Sequence, residues 1–285
     1  MTQSKKRPLD QILVDRSLAP SMDKARRMIR AGQVRRGTDV LDKPGLRLDP
    51  DVPLQILDLG GPFVSRGGEK LRAAFDAFPG LSPCPAVCAD VGASTGGFTD
   101  CLLQRGARRV YAIDVGAGQL DARLRADSRV VVMEKTNARD LTPGDFPEML
   151  DLAVIDVSFI SLEMILPPIS RLLRPAAGQV VALVKPPFEA RPERVEKGGV
   201  VRDPAVHEEV VRRIAFDAAP AAGLHPQGLV PSPLKGPAGN CEYLLWLANR
   251  EAGAGREALV DGEMIRRAVA EALRCRTRTD KSASG

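Results

Sequence analysis

The sequence predicts an α/β fold in which helices wrap a parallel sheet, with a small basic module in front of it. Three observations support this prediction. Beyond residue 64, short β-rich segments alternate with helical ones, which is typical of a parallel sheet. The first 47 residues hold twelve Lys or Arg and five Asp, a net charge of +7, whereas the rest of the chain nets −2. The chain has 285 residues, which favours two domains or one large one.

The composition excludes several classes of protein. Apolar residues make up 44% and charged residues 27% of the chain, as in an ordinary globular protein. Apolar stretches such as Val180 to Val184 are far shorter than the roughly 18 residues of a membrane span. The basic start has no apolar segment behind it, which argues against a signal peptide. Five scattered cysteines argue against a zinc site and fit a reducing cytoplasm.

Residues 1–59 form the predicted basic module. Helical spacing covers Leu9 to Leu18 and Ser21 to Ala31, with Ser21 as the N-cap of the second helix. Short alternating segments separated by Gly and Pro then continue to Ile56, which predicts small strands joined by turns. The charge favours a module that binds a polyanion, and the alternative is a solvated basic surface.

The α/β domain is predicted over residues 65–250, after a linker at 60–64. Its predicted strands are Val87 to Val91, Val110 to Val115, Val130 to Glu134, Leu152 to Val157, Val180 to Lys185 and Tyr243 to Leu247. Apolar residues at helical spacing between Val200 and Ala221 predict a covering helix. Residues 251–285 are predicted to form a C-terminal helix and a frayed tail that starts at Arg274.

A glycine-rich turn follows the first of these strands, in the segment Asp90-Val-Gly-Ala-Ser-Thr-Gly-Gly-Phe-Thr. An α/β sheet binds nucleotide-like ligands at this place, but the spacing is neither that of a dinucleotide fingerprint nor that of a P-loop. Asp90 suits a ligand with an ammonium group, and Asp114 is placed to accept hydrogen bonds from ribose hydroxyls. S-adenosylmethionine fits these features. Asn137 is placed to contact adenine. The alternatives are that the glycines only form a turn, that Asp114 caps a helix and that Asn137 is a turn residue.

Four charged residues stand out in the predicted domain: Asp156, Lys185 and Glu242 lie on or beside predicted strands, and Lys70 lies before the first strand. A charge among apolar neighbours is costly unless it is paired or used. The set suits methyl transfer from a sulfonium centre to a ribose hydroxyl, in which the hydroxyl must be aligned with the methyl group and must lose its proton. Under this hypothesis Lys185 is the base and Lys70 is the neighbouring cation. A structural ion-pair network is the alternative, and the sequence does not decide the direction of the lysine pKa shifts.

Seven segments resemble the TlyA family, also labelled haemolysin A, which belongs to the FtsJ-like ribose 2′-O-methyltransferases. They are residues 64–71, 90–100, 136–139, 156–161, 185–189, 197–203 and 239–243. The resemblance implies a Rossmann-like class I methyltransferase sheet of seven mostly parallel strands after a small α+β S4-type RNA-binding domain. Residues 9–16 and 25–34 resemble the S4-type domain, whereas Arg35-Arg-Gly-Thr38 replaces its usual Val-Asn-Gly hairpin.

The resemblance also implies a reaction and its residues. The family's catalytic tetrad would fall on the same Lys70, Asp156, Lys185 and Glu242. The donor would be S-adenosylmethionine, and the acceptor a cytidine of rRNA in the small and in some members the large ribosomal subunit, within the cytoplasm. Cofactor contacts are expected from Asp90, Gly92, Ser94, Thr95, Gly96, Gly97, Phe98, Asp114, Asn137 and Asp156. RNA contacts are expected from Lys24, Arg26, Arg27, Arg30, Arg35, Arg36, Arg66, Lys197 and Arg202.

Three rival functions differ from this reading in specific features. A base N-methyltransferase would carry an Asp/Asn-Pro-Pro-aromatic motif where this chain has Asp156-Val-Ser-Phe159. Phe159 and Phe188 are predicted either to stack on the target base or to lie in the core. A membrane-active haemolysin would need a spanning or strongly amphipathic segment, and none is visible. A ribosome-binding factor without activity would not need the four charged residues.

Overall fold

The structure is a computed structural model that describes residues 6–19, 21–30, 32–37, 39–56, 61–236, 239–249 and 259–281, with the backbone alone for 275–281. Its strands before residue 57 are β1 (Arg7–Pro8), β2 (Val34–Arg36), β3 (Asp39–Val40), β4 (Arg47–Leu48) and β5 (Gln55–Ile56). Helices α1 (Leu9–Asp15) and α2 (Met22–Arg30) precede β2. Strands β1 and β4 form one antiparallel pair, and β2 lies between β3 and β5 in a second sheet.

The first domain has a small core of its own. Leu9, Ile12 and Leu13 of α1 pack against Ala25 and Ile29 of α2 in one buried cluster. The backbone N–H of the third residue of α2 bonds to the Ser21 hydroxyl at 3.2 Å, so the predicted N-cap is confirmed. The basic side chains of α2 lie on its other faces, where all but the half-buried Arg27 are exposed. The end of the predicted second helix, residue 31, and residue 60 of the predicted linker lie outside the described residues.

A seven-stranded sheet forms the second domain, as predicted. Its strands are β6 (Val87–Val91), β7 (Arg109–Asp114), β8 (Val130–Glu134), β9 (Leu152–Ile155), β10 (Gln179–Val184), β11 (Leu224–Pro231) and β12 (Tyr243–Asn249). Their order is β11-β12-β10-β9-β6-β7-β8, in which β12 runs antiparallel to both neighbours and the other pairs are parallel. The carboxyl ends of β6, β7, β9 and β10 therefore meet at one edge.

Helices cover both faces of this sheet. One face is covered by α3 (Gly67–Ala77), α4 (Gly97–Gln104) and α5 (Ala122–Ala126). The other is covered by α6 (Leu162–Ser170), α8 (Pro204–Arg213), which continues through a π-turn into α9 (Ala219–Ala221), and α10 (Gly262–Lys281). The short α7 (Pro186–Glu189) follows β10. Each fully buried Leu, Ile or Val side chain in these layers contributes about 1.5–3 kcal/mol.

Two parts of the second domain differ from the sequence prediction. Strand β11 lay outside the predicted strands because it contains two prolines and a glycine, and its pairing with β12 is interrupted between Pro226 and Gly228. The predicted frayed tail is wrong over its first part, since the backbone of α10 is helical through Lys281. Residues 251–258 and 282–285 lie outside the described residues.

Candidate active site

Lys70, Asp156, Lys185 and Glu242 come together as two largely buried ion pairs, in which the most exposed side chain, that of Asp156, is 22% exposed. Lys70 Nζ lies 2.6 Å from Glu242 Oε2, and Lys185 Nζ lies 2.5 Å from Asp156 Oδ1. The Glu242 side chain is only 2% exposed, so water screens this pair weakly. The two pairs are close enough that the charge of Asp156 also acts on Lys70.

The sheet edge sets the position of these side chains. Asp156 directly follows β9, and its backbone N–H donates to the Val91 carbonyl of β6 at 2.9 Å. Lys185 directly follows the adjacent β10, and Glu242 directly precedes β12, which pairs with β10. Lys70 approaches from the first turn of α3. Three strand ends and one helix start thus hold the four groups.

Burial and charge compete at this site. Burial favours the neutral amine of Lys70, but the charges of Glu242 and Asp156 outweigh it, so the pKa of Lys70 is raised. Burial also favours the neutral form of Asp156, but the charges of Lys185 and Lys70 outweigh it and lower the pKa of Asp156. Both groups are therefore ionised at neutral pH.

Hydrogen bonds around Glu242 fix the segment that carries it. The Asn240 side chain accepts a hydrogen bond from the Val201 backbone N–H at 3.0 Å and donates one to the Gly199 carbonyl at 2.8 Å, both in the loop before α8. The Tyr243 hydroxyl bonds to His207 Nδ1 at 2.8 Å, and His207 Nε2 bonds to the Val201 carbonyl at 3.0 Å. His207 is fully buried with these partners.

Two aromatic side chains lie beside the Asp156–Lys185 pair. Phe159 is 90% exposed, and its ring centroid lies 4.9 Å from that of Phe188. The Lys185 ammonium is 6.0 Å from the Phe188 ring centroid. Phe159 has φ of +64°, a backbone conformation that costs about 1–3 kcal/mol for a bulky residue. Because the Phe159 side chain is exposed, the alternative that it belongs to the core is wrong.

The predicted cofactor region contains a small pocket at the carboxyl edge of β6 and β7. Its lining is formed by Ala93, Ser94, Ala112, Asp114, Gly116, Gln119, Leu120, Val132 and Glu134. Asp114 accepts the backbone N–H groups of Ser94 at 2.8 Å and Gly116 at 2.7 Å, one on each carboxylate oxygen. Each oxygen keeps a second lone pair, so two ribose hydroxyls could still bind there.

Asp90 has one free carboxylate oxygen next to this region. Its Oδ2 accepts the backbone N–H and the hydroxyl of Thr99, whereas its buried Oδ1 has no partner among the described residues. Burial raises the pKa of Asp90 to about 7, although the two bonds from Thr99 oppose this shift. An unsatisfied buried carboxylate oxygen calls for a donor. The ammonium group of an S-adenosylmethionine-like ligand fits that need.

The glycines of the turn are required by packing within the protein. A Cβ at Gly92 would lie 2.5 Å from the carbonyl oxygen of Asp156, and one at Gly96 would lie 2.3 Å from the side chain of Leu124. Both glycines also have positive φ. These close contacts are with neighbouring elements of the protein, and approach of a ligand to the same backbone stays a prediction. Gly97 likewise packs against the start of α3.

The other predicted cofactor residues lie around this turn. Thr95 and Phe98 are buried, and Phe98 packs in the apolar core under α4. Asn137 accepts the backbone N–H of Arg139 at 3.1 Å, so it caps a short 3₁₀ turn, as the alternative reading had it. It is not among the residues that line the pocket.

The predicted RNA-contacting residues are mainly at the surface of both domains. Lys24, Arg26, Arg30, Arg36, Lys197 and Arg202 are exposed, and Arg27, Arg35 and Arg66 are half-buried. Three form ion pairs: Arg26 with Asp10, Arg36 with Asp39 and Arg202 with Glu196.

Arg66 and Arg35 bring the basic side chains of the two domains together. A Cβ at Gly32 in the first domain would lie 3.0 Å from Arg66 Cδ, so Arg66 packs against that turn. Burial and the charge of Arg35 lower the pKa of Arg66. The positive charge of the first domain therefore continues to Arg66 at the start of α3, whose first turn carries Lys70.

Three residues at the site lie outside the sequence prediction of site residues. Ser158 accepts a hydrogen bond from Lys185 Nζ at 3.0 Å, Asn240 holds the segment before Glu242, and buried Glu189 joins two loops. All three lie within segments that carry the family resemblance. Their roles depend on tertiary contacts, which spacing along the chain does not reveal. Among the described residues, no helix has both the length and the apolar character that spanning a membrane requires.

Comparisons with known proteins agree with this architecture. The family model described as FtsJ-like methyltransferase matches residues 63–249, and the model described as S4 domain matches residues 7–52. YqxC of Bacillus subtilis, which carries the name of an rRNA methyltransferase, is 50% identical over 92% of this chain and 93% of its own length. The 16S/23S rRNA (cytidine-2′-O)-methyltransferase TlyA of Mycobacterium tuberculosis is 43% identical over 92% of this chain and 97% of its own.

A solved structure extends the similarity to the whole fold. The structure is that of a Streptococcus thermophilus protein that carries a hemolysin name and is 38% identical to this chain. The superposition covers 98% of this chain and 99% of that chain, with a TM-score of 0.75. The sequence relatives and the domain models match the two domains in the same order as the structure shows them. The chain is thus a methyltransferase that belongs to the FtsJ-like family and, within it, to the TlyA group.

Proposed function

We propose that this protein transfers a methyl group from S-adenosylmethionine to the ribose 2′-hydroxyl of a cytidine in rRNA. The observation that carries the proposal is the pairing of Lys70 with Glu242 and of Lys185 with Asp156 at the same sheet edge as the glycine-rich turn. Ribosomal RNA as the acceptor would place the reaction in the cytoplasm. When bound, S-adenosylmethionine supplies a methyl group that is already activated on a sulfonium centre.

Each of the four side chains has a role in this scheme. Lys185 acts as general base: its amine, neutral when the 2′-hydroxyl binds, takes up the hydroxyl proton and becomes the ammonium that pairs with Asp156. Lys70 stays a cation, because Glu242 and Asp156 raise its pKa, and its charge stabilises the negative charge that develops on the ribose oxygen. Asp156 holds the Lys185 amine through a direct contact, and Glu242 does the same for Lys70. The two carboxylates thereby orient the amines toward one hydroxyl.

The aromatic pair supplies a contact for the target base. Phe159 is exposed, and its ring lies beside that of Phe188, which the Lys185 ammonium faces; this suits stacking of a base that has been turned out of its helix. One base stacked on an aromatic side chain contributes about 1–3 kcal/mol. Phe159→Ala should therefore lower kcat/KM for rRNA by about 5- to 150-fold. Met164→Ala, a change at an exposed apolar residue of α6, is the matched control and should keep the parent value.

Binding of rRNA is proposed for the first domain and the residues that join it. The TlyA protein of M. tuberculosis is named for cytidine in 16S and 23S rRNA, and an S4 domain model matches residues 7–52 here. The net charge of +7 in residues 1–47 supports binding to a phosphate backbone. Arg35 and Arg66 connect this charge to the site.

The test is methyl transfer by the purified protein. Ribosomal subunits are incubated with labelled S-adenosylmethionine, the rRNA is digested to nucleosides, and the labelled nucleoside is identified by mass spectrometry. The proposal predicts 2′-O-methylcytidine with the parent chain and none with Lys185→Ala. Label on a base would contradict ribose transfer. Leakage of liposomes in the absence of any methyl transfer would support a haemolysin instead.

A further inference from the structure

The loop after β9, residues 156–161, and the loop after β10, residues 185–189, carry the Asp156–Lys185 pair and the two aromatic rings. We infer that Glu189 is a positioning residue, which clamps these two loops together and thereby holds Phe159 over the site. The inference rests on the proposed function for what Phe159 does, but its structural part does not. Glu189 touches neither the pocket lining nor the four charged groups in the contacts of the described residues.

The clamp consists of two hydrogen bonds to one carboxylate. Glu189 Oε2 accepts the Ser161 hydroxyl at 2.6 Å, and Glu189 Oε1 accepts the backbone N–H of Leu162 at 2.8 Å. The Glu189 side chain is only 2% exposed, so water does not compete for these donors. Both oxygens of the α7 carboxylate are therefore occupied by the residues that begin α6.

The charged surroundings of Glu189 are simple. Arg213 of α8 lies with Nη2 3.7 Å from Glu189 Oε2 and also donates to the Glu189 carbonyl. The other arm of Arg213 contacts Glu163 at the surface. Burial raises the pKa of Glu189, while the bonds from Ser161 and Leu162 and the charge of Arg213 oppose this shift. One cation thus faces a carboxylate that already accepts two donors.

The strained backbone at Phe159 explains why such a clamp is needed. A bulky residue keeps positive φ only where its neighbours restrict it. The loop is fixed before Phe159 by the bond from the Asp156 N–H to β6, and after Phe159 by Glu189. Phe188 lies in the same short helix as Glu189 and touches the Phe159 ring. Loss of the clamp should therefore release Phe159 while leaving the Asp156–Lys185 pair in place.

A double-mutant cycle between Glu189 and Phe159 tests the inference, with kcat/KM for rRNA as the readout. Glu189→Ala should lower kcat/KM by a factor similar to that of Phe159→Ala, about 5- to 150-fold. In the Phe159→Ala background it should cost less than about twofold, because there is no ring left to position. Fully additive losses would overturn the inference, as would a parent-like Phe159→Ala variant in a chain that methylates rRNA.

Hydrogen exchange provides a readout that does not depend on activity. In Glu189→Ala the Leu162 amide should exchange at least about tenfold faster, whereas the control Glu163→Gln, which removes a surface partner of Arg213, should match the parent. An unchanged Leu162 amide would overturn the clamp. If the parent chain does not methylate rRNA but the Leu162 amide still exchanges faster in Glu189→Ala, the proposed function is contradicted and the clamp is supported.

Two further measurements separate positioning from misfolding. The dissociation constant for S-adenosylmethionine should stay within about twofold of the parent in Glu189→Ala, since the pocket lies at other strands. If that variant does not bind the cofactor, Ser161→Ala, which removes one of the two bonds, replaces it in the cycle. Glu189→Gln keeps an acceptor for the Leu162 N–H and should retain at least half of the parent rate; a loss equal to that of Glu189→Ala would contradict the hydrogen-bond role.

Discussion

Replacing Lys185 with methionine removes one charge from the site and keeps the length of the side chain. The ammonium of Lys185 is buried, pairs with Asp156 at 2.5 Å and donates to Ser158 at 3.0 Å. Breaking a buried ion pair from one side costs about 3–5 kcal/mol. Because Lys70 remains close to Asp156, we expect a loss of about 2–4 kcal/mol in the free energy of unfolding.

The effect on methyl transfer should be larger than the effect on binding. A general base contributes about 10²- to 10⁴-fold to a rate, so kcat of Lys185→Met should fall by at least that factor. Its dissociation constant for S-adenosylmethionine should stay near the parent value, because Lys185 is not among the residues that line the pocket. Arg171→Gln, a change at an exposed cation at the far end of α6, is the control. More than a tenth of the parent rate in Lys185→Met would refute the general-base role.

The pH dependence of stability gives an independent test of the same pair. Burial acts to raise the pKa of Asp156, but Lys185 and Lys70 lower it below the unfolded value of about 3.9. The parent therefore has this stabilisation above about pH 4 and loses it as the pH falls through the lower folded pKa. In Lys185→Met the folded pKa of Asp156 rises toward the unfolded value, so this stabilisation shrinks and less of it is lost on acidification. Identical acid-unfolding profiles for both chains would contradict the pairing.

Three other changes test the cofactor and RNA sites. In the parent chain, affinity for S-adenosylmethionine should increase as the pH rises through about 7. Burial raises the pKa of Asp90 to about 7, and the carboxylate is the form that binds an ammonium group. The same pH dependence in a calorimetric titration of Asp90→Asn would contradict this. Asp114→Ala removes the acceptor of two backbone N–H groups and of the expected ribose contact, so the dissociation constant for the cofactor should rise about tenfold or more. An unchanged value would place the ribose elsewhere. Deletion of residues 1–59 should weaken rRNA binding and flatten its dependence on salt, since lysine and arginine contacts to phosphate release counterions; an unaltered salt slope would show that this module does not bind the RNA backbone.

The sequence predicts the parts of the fold that depend on local patterns. The buried strand β6 and the half-buried edge strand β8 both have the predicted bounds, because continuous apolar runs and flanking turns mark them. The predicted N-cap at Ser21 has the expected hydrogen bond. Strand β11 has no such pattern, since Pro226 and Gly228 interrupt it and its pairing with β12 is a tertiary property.

The candidate site shows the same division. Charges at strand ends are visible in the sequence, because a lysine or carboxylate beside an apolar strand stands out. How those charges pair depends on strand order, and Lys70 with Glu242 are 172 positions apart. The sequence leaves Phe159 equally suited to base stacking or to the core, and the 90% exposure of its side chain excludes the core. Glu189 lies in a segment that resembles the family, but its role is not visible there, since both of its donors lie at the start of α6.

The most direct measurement is a map of ribose methylation on rRNA from three kinds of cell: those with the parent chain, those without it and those with Lys185→Met. The account predicts a 2′-O-methylcytidine that is present with the parent chain and absent in the other two. The same methylation in all three, or a lost methyl group that proves to be on a base, would contradict it.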